Sequence, residues 1–295
     1  MGTAGIVLTV FFCAAALAAA FFAVSFFRPR LYKGKAFNAS VSDKAEFVTS
    51  ESGTPYLIKK KIGGSISDEP FKILSVADLH IRDDDEFSLT VLSRFLDKEK
   101  PDLVVLLGDN IVNRTDTQMQ DRLKEFFEKR KQYWGFVLGN HDSEKKIYED
   151  FAALEQKGEL SDSEKEKISQ SGRKWMFDSL CGGKYCVVSN EENVFGAGNC
   201  AVNIRNSKGI TQSLFFFDSG DYVYGVKRKA IGSEKRCYGY IRESQLEWYK
   251  NKLNDIAAEN GGRTPKSMAF FHIPLPEYQD AFSAVLRKSK DAKRI

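Results

Sequence analysis

Residues 71–81 read FKILSVADLHI: a short, mostly apolar run, then Asp78 and His80 on either side of one leucine. The run Phe71 to Ala77 fits a buried strand. Its polar pair falls at the strand's C-terminal end. Val91, Leu92, Phe95 and Leu96 should then line one face of a helix.

The same form returns twice. Residues 101–111, PDLVVLLGDNI, carry a strand from Asp102 to Leu107 and place Asp109 just past it, and residues 135–144, GFVLGNHDSE, end a strand from Tyr133 to Leu138 in Asn140, His141 and Asp142. Between them, Thr117 to Gln120 has the spacing of a capping box, and Met119, Leu123, Phe126 and Phe127 recur at helical intervals. Repeated strand-then-polar units separated by helical patterns predict an α/β sheet.

Beyond it, Ser143 to Leu180 is charged and helical, an excursion anchored by Trp175 and Met176. Tyr185 to Tyr224 changes to strand-like runs separated by Gly and Asn, which predicts an antiparallel layer beside the first sheet. A second capping-box spacing, Ser244 to Glu247, opens a helix lined by Leu246, Tyr249, Leu253 and Ile256 and ending near Gly261-Gly262. A last strand, Lys266 to Phe271, delivers His272 in the segment AFFHIPLPE.

Composition narrows the function classes. With 295 residues, 42% hydrophobic and 28% charged, the chain is globular, and its formal charge of +4 is interleaved in sign along the sequence. Binding of nucleic acid through a basic surface is not expected. Residues 5–27, GIVLTVFFCAAALAAAFFAVSFF, carry no charge and as a helix would span roughly 34 Å at ~1.5 Å per residue, enough to cross a bilayer. They read as a signal peptide or an anchor, the only expected membrane contact. Residues 28–70 read as a stem with a first strand around Pro55 to Lys61, and residues 71–295 as the main domain.

Arg28, Arg30, Lys33 and Lys35 follow the apolar run and would keep an uncleaved anchor's domain cytoplasmic. The sequons Asn38-Ala39-Ser40 and Asn113-Arg114-Thr115 point instead to the lumen, and Cys181, Cys186, Cys200 and Cys237 permit two disulfides in three connectivities. Entry to the secretory pathway is the favoured expectation.

The chain has only three histidines, His80, His141 and His272, and each follows a strand. Ligands of open α/β sheets bind beyond the carboxyl ends of the strands, so Asp78, His80, Asp109, Asn140, His141, Asp142 and His272 can converge from distant sequence positions. Carboxylate, imidazole and amide oxygen suit divalent manganese, iron or zinc, while a paired-cysteine pattern for structural zinc is absent. A lone Asp-x-His is more often a capped turn or a satisfied surface group, Gly108-Asp109 and Gly139-Asn140 are good turn dipeptides, and His272 alone could hydrogen-bond beside Pro274. The fixed order of these motifs, with every histidine inside one, is not explained that way.

The order DxH, GDN, GNHD and a strand-end His resembles the calcineurin-like metallophosphoesterases. FKILSVADLHI, PDLVVLLGDNI, GFVLGNHDSE, SLFFFDSG and AFFHIPLPE are similar to their purple acid phosphatase-like branch. The resemblance implies a four-layer α/β/β/α sandwich holding two divalent metal ions and acting on a phosphate ester. Asp78 and His80 would ligate one metal, Asp109 would bridge, and Asn140 and His272 would ligate the second. His141, held by Asp142, would lie near the leaving-group oxygen.

Two departures qualify this picture. Val112 stands where the purple enzymes carry an iron-ligating Tyr, so a coloured tyrosinate site is not expected. The family's fifth motif, Gly-His-x-His, does not occur in the 23 residues after His272. Either this is a truncated version of a longer chain or the site lacks two ligands; in both cases the sandwich is expected to be incomplete at its C-terminus, with water filling in for missing ligands. Two functions follow as expectations: a metal-dependent phosphoesterase, or a scaffold of the same fold with impaired or lost catalysis.

Overall fold

The computed structural model describes residues 45–50, 53–61, 63–82, 87–112, 115–156, 158–230, 233–275, 277–278 and 280–285, all within the unit Asn38–Ile295. The apolar run 5–27 and the sequon at Asn38 lie outside them, as do Asn113 and Arg114 of the second sequon. Among the described residues, no helix is long and apolar enough to cross a membrane.

Three strands form a parallel sheet in the order β3 (Ile73–Val76), β4 (Leu103–Leu107), β5 (Trp134–Val137). Parallel neighbours need crossovers, and helices α1 (Phe87–Glu99) and α2 (Gln118–Arg130) supply them. The continuous apolar run of β4 suits a strand covered on both faces. Helices α3 (Glu144–Glu155) and α4 (Asp162–Leu180) follow β5.

A second, mixed sheet has the order β1 (Ala45–Thr49), β2 (Pro55–Lys59), β6 (Cys200–Asn206), β7 (Gly209–Phe216), β10 (Lys266–Phe270). A hairpin of β8 (Tyr222–Ala230) and β9 (Ser233–Tyr238) stands apart, and α5 (Glu243–Glu259) precedes β10.

Period-2 alternation assigns each face of the second sheet to a different core. Leu57, Val202, Leu214 and Phe216 join β3 to β5 and the helices before and after them in the larger core. Tyr56, Ile58, Phe215 and Phe217 turn the other way and pack with Trp248 and Ile256 of α5. The layers therefore run helix, sheet, sheet, helix, the α/β/β/α sandwich of the metallophosphoesterase fold.

Several local expectations are corrected. The first strand expected around Pro55 to Lys61 is present as β2, but an unexpected strand, β1, precedes it in the stretch expected as a stem and pairs with it antiparallel, and Ala45 and Leu57 are core residues. β1 is a short, partly polar edge strand, a pattern that weakens its apolar signal. On α1 the buried face is Leu89, Leu92 and Leu96, whereas Phe95 is 51% exposed. At α2 the expected capping box is replaced: the Thr117 side chain makes no cap bond, and the Asp116 carboxylate accepts from Gln118 N at 3.1 Å.

A capping box does form at Ser161 and Glu164, which start α4. Helix α5 starts one residue before the expected cap, with Gln245 accepting from Arg242 N at 2.7 Å. That register buries Gln245, Trp248 and Ile256 and leaves Leu246 exposed. Cys181, Cys186, Cys200 and Cys237 are free thiols.

Candidate metal centre

The loops after β3 and β4 are tied together by their backbones. Asp78 N donates to Gly108 O at 3.1 Å, His80 N to Asp109 O at 2.9 Å and Ile81 N to Asn110 O at 2.9 Å. This zipper holds Asp78, His80 and Asp109 in left-handed conformations, with φ of 56°, 47° and 52°. Such angles are costly for residues other than glycine and cluster at functional sites. They aim three side chains at one point, and one ligand atom from each lies within 4.8 Å of the other two.

Asp109 faces two ways. Its Oδ2 lies 3.4 Å from His80 Nε2, and its Oδ1 lies 3.5 Å from His272 Nε2. His272 Nδ1 is 2.9 Å from Leu107 O. A carbonyl only accepts, so Nδ1 carries a proton, and Nε2 is the ring nitrogen turned towards the carboxylate. An imidazole nitrogen facing a carboxylate oxygen is a donor pair that a cation can satisfy in place of a proton. The residues fit a divalent metal by this test, and the carbonyl bond to Nδ1 is the outer contact that fixes a ligating histidine.

The third loop closes against the second. His141 N donates to Asp109 Oδ1 at 2.9 Å. Gly139 permits this approach, since a Cβ there would lie 2.1 Å from Asp109 Oδ1, and one on Gly108 would lie 2.6 Å from His272 Nδ1. Asn140 is buried and donates from Nδ2 to the Tyr222 hydroxyl at 3.1 Å, which leaves Oδ1 available to a cation. Asp78, with its side chain 61% exposed, and His80, at 37%, mark the side open to solvent.

His141 is not held by Asp142. The Asp142 carboxylate points inward and accepts from Asn110 N and Ile111 N at 2.8 Å each and from Gly139 N at 2.7 Å, clamping the second loop to the third. Burial pushes its pKa up, against the backbone donors of Gly139 and Ile111. The partner of His141 is Glu144, whose Oε2 lies 2.5 Å from Nδ1. The His80 and His141 rings meet edge to face, with centroids 5.7 Å apart.

Beneath this loop lies Arg173 of α4, fully buried. It donates to Gly139 O at 2.8 Å and Leu138 O at 3.2 Å, and Nε lies 3.1 Å from both oxygens of Asp218. Burial opposes its charge, but the Asp218 carboxylate overcomes that penalty and holds the guanidinium pKa above its ordinary value.

A family profile described as Calcineurin-like phosphoesterase matches residues 71–292. The chain belongs to this family. Its relatives are purple acid phosphatase-like: it is 31% identical over 72% of its length, and 55% of the relative's, to probable inactive purple acid phosphatase 28 of Arabidopsis thaliana. It is 30% identical to phosphatase DCR2 of Saccharomyces cerevisiae over 70% of its own length and 35% of that protein's. A third, probable inactive purple acid phosphatase 29 of Arabidopsis thaliana, is 26% identical over 75% of this chain and 58% of the relative. The chain thus spans about half the length of these relatives, or less.

The structure sets Asp78, His80 and His272 around Asp109 and closes the loop of Asn140 and His141 against it, while Asp142 turns inward to backbone amides; sequence reading missed Glu144, Tyr222, Arg173 and Asp218. Asp218 had a signal, since it ends a strand in SLFFFDSG as Asp109 does in its own motif. Arg173 is one charge among many in a charged helix, and only the fold shows that it is buried.

Proposed function

We propose that this chain is the core of a metal-dependent phosphoesterase that hydrolyses a phosphate ester. One observation carries the reading: the buried Asp109 carboxylate turns one oxygen to His80 and the other to His272. A carboxylate placed this way can serve two cations at once and offset their mutual repulsion. Asp78 and His80 would hold one, and Asn140 and His272 the other. Divalent manganese, iron or zinc suits this oxygen and nitrogen donor set. Such ions supply Lewis acidity, neutralising phosphoryl charge and making water acidic enough to react near neutral pH.

The chain's own residues would do the rest. The zippered loops hold the donors at fixed positions, so little reorganisation is needed on binding substrate. Asp78 and His80, at the solvent-facing side, leave the approach to the site open. His141 lies beside this set with Nδ1 engaged, leaving Nε2 to stabilise or protonate the leaving-group oxygen.

The test is hydrolysis of an aryl phosphate by a full-length form, stimulated by manganese and abolished by Asp109→Asn. No turnover with any divalent metal refutes the reading. A second reading, a scaffold with impaired catalysis, is favoured by the relatives named probable inactive purple acid phosphatases. Metal analysis alongside turnover separates the two. Entry to the secretory pathway is a further proposal resting on the apolar run 5–27, and protease protection in microsomes tests it.

A further inference from the structure

Asn140 and His141 share a chemical problem. An amide can flip and present its NH2 group to a cation, and a neutral imidazole can carry its proton on either nitrogen. Both side chains are connected to the same carboxylate, His141 directly and Asn140 through Tyr222.

Glu144 is the first residue of α3, where the helix dipole favours a negative charge. Its Oε1 lies 3.4 Å from the Tyr222 hydroxyl and its Oε2 lies 2.5 Å from His141 Nδ1. An ionised carboxylate only accepts, so both contacts have a forced direction. The Tyr222 O–H points at Glu144, which turns a hydroxyl lone pair towards Asn140 at 3.1 Å. Asn140 must answer with its NH2 group, so its Oδ1 is the atom left for the metal centre. On the other arm His141 must carry its proton on Nδ1, so Nε2 is the nitrogen left for substrate.

We propose that Glu144 and Tyr222 are positioning residues: Glu144 sets the tautomer of His141 directly, and through the Tyr222 hydroxyl it sets the amide orientation of Asn140. The inference rests on the phosphoesterase reading for its purpose but not for its test. It also gives the β8–β9 hairpin, which supplies Tyr222, a part in shaping the centre.

The experiment has one arm for each half. In the metal-free chain, long-range nitrogen–proton NMR reports whether Nδ1 of His141 is protonated, and His141→Asn assigns the signal among only three histidines. At alkaline pH, Nδ1 is expected to be protonated in wild type. In Glu144→Ala the proton is expected to move to Nε2, the form that predominates in water. Glu144→Gln, which keeps the shape and loses the charge, is the second variant and should shift the ring the same way to a smaller extent.

Tyr222→Phe should leave His141 as in wild type and weaken Mn2+ binding about 10-fold in equilibrium dialysis, as loss of such an outer contact commonly does. An unprotonated Nδ1 in wild type, or a ring that Glu144→Ala leaves unchanged, overturns the His141 half. A Mn2+ isotherm that Tyr222→Phe leaves in place, or a wild type that binds no Mn2+, overturns the Asn140 half. Hydrolysis of an aryl phosphate is scored separately: a chain with the expected NMR and binding shifts but no turnover keeps the relay and refutes the phosphoesterase reading.

Discussion

Replacing Arg173 with methionine keeps most of the side chain's bulk and removes the hydrogen bonds that the guanidinium makes beneath the third loop. Three losses follow. Asp218 keeps its charge in a fully buried position, and breaking a buried pair from one side costs about 3–5 kcal/mol. The carbonyls of Leu138 and Gly139 lose the donors they hold at 3.2 and 2.8 Å, and an orphaned buried acceptor costs roughly 1–3 kcal/mol. Asp218 retains Ala197 N at 2.8 Å and Gly220 N at 2.9 Å, which softens the total.

The expected loss is therefore about 4 kcal/mol or more, a large part of the ~5–15 kcal/mol typical of a folded domain. With a urea dependence near 2 kcal/mol per molar, the midpoint should fall by about 2 M. The double variant Arg173→Met/Asp218→Asn should lose less than the two single variants summed, because it leaves no unpaired charge. Mn2+ binding should fall in Arg173→Met under conditions where circular dichroism still reports a folded chain, since the loop carrying Asn140 has lost its anchor. A midpoint within about 0.5 M of wild type, or single-variant losses that simply add, would show that the pair does not hold the loop.

Further outcomes can be measured independently. Gly139→Ala should abolish Mn2+ binding while the chain still folds, because the added Cβ would meet Asp109 Oδ1 at 2.1 Å; an unchanged binding isotherm would refute the close approach. Burial pushes the Cys200 thiol from about 9 up to about 12, so its neutral form is favoured in the folded state. Its contribution is complete below pH 9 and is lost as pH rises from 9 to about 12, at about 1.4 kcal/mol per pH unit. Cys200→Val should flatten that part of the alkaline unfolding curve, and an unaltered slope contradicts the assignment. Ser161→Ala should cost about 1 kcal/mol in urea unfolding through loss of the α4 cap, without changing Mn2+ affinity.

The sequence showed most of what this fold needs wherever a pattern is local. The apolar runs of β4 and β5 are read directly, and so are the polar residues at their ends, because a strand buried on both faces has no polar positions to blur its boundaries. β3 is only half-buried, with Ser75 exposed, and is legible from its apolar run alone. Helix faces were harder to read. Phe95 and Leu246 fit a helical stripe by spacing, yet both are exposed, because the face a helix buries depends on where its neighbours sit.

The same limit governs the metal centre. Donor types are a property of the chain, so the proposed donors Asp78, His80, Asp109, Asn140 and His272 can be picked out by residue type and strand-end position. What orients them is a property of the fold. Asp142 is adjacent to His141 in sequence, which made it the natural partner, but strand-end geometry turns its carboxylate inward to three backbone amides. The carboxylate that reaches the imidazole comes from Glu144, one helical step on, and the hydroxyl that fixes Asn140 comes from Tyr222, 82 residues beyond Asn140. The donors can thus be read from short motifs, whereas their orientation depends on contacts between elements that no motif contains. Variants at Arg173, Glu144 and Tyr222 are therefore the more demanding test of this centre, since each alters how a proposed ligand is held without removing one.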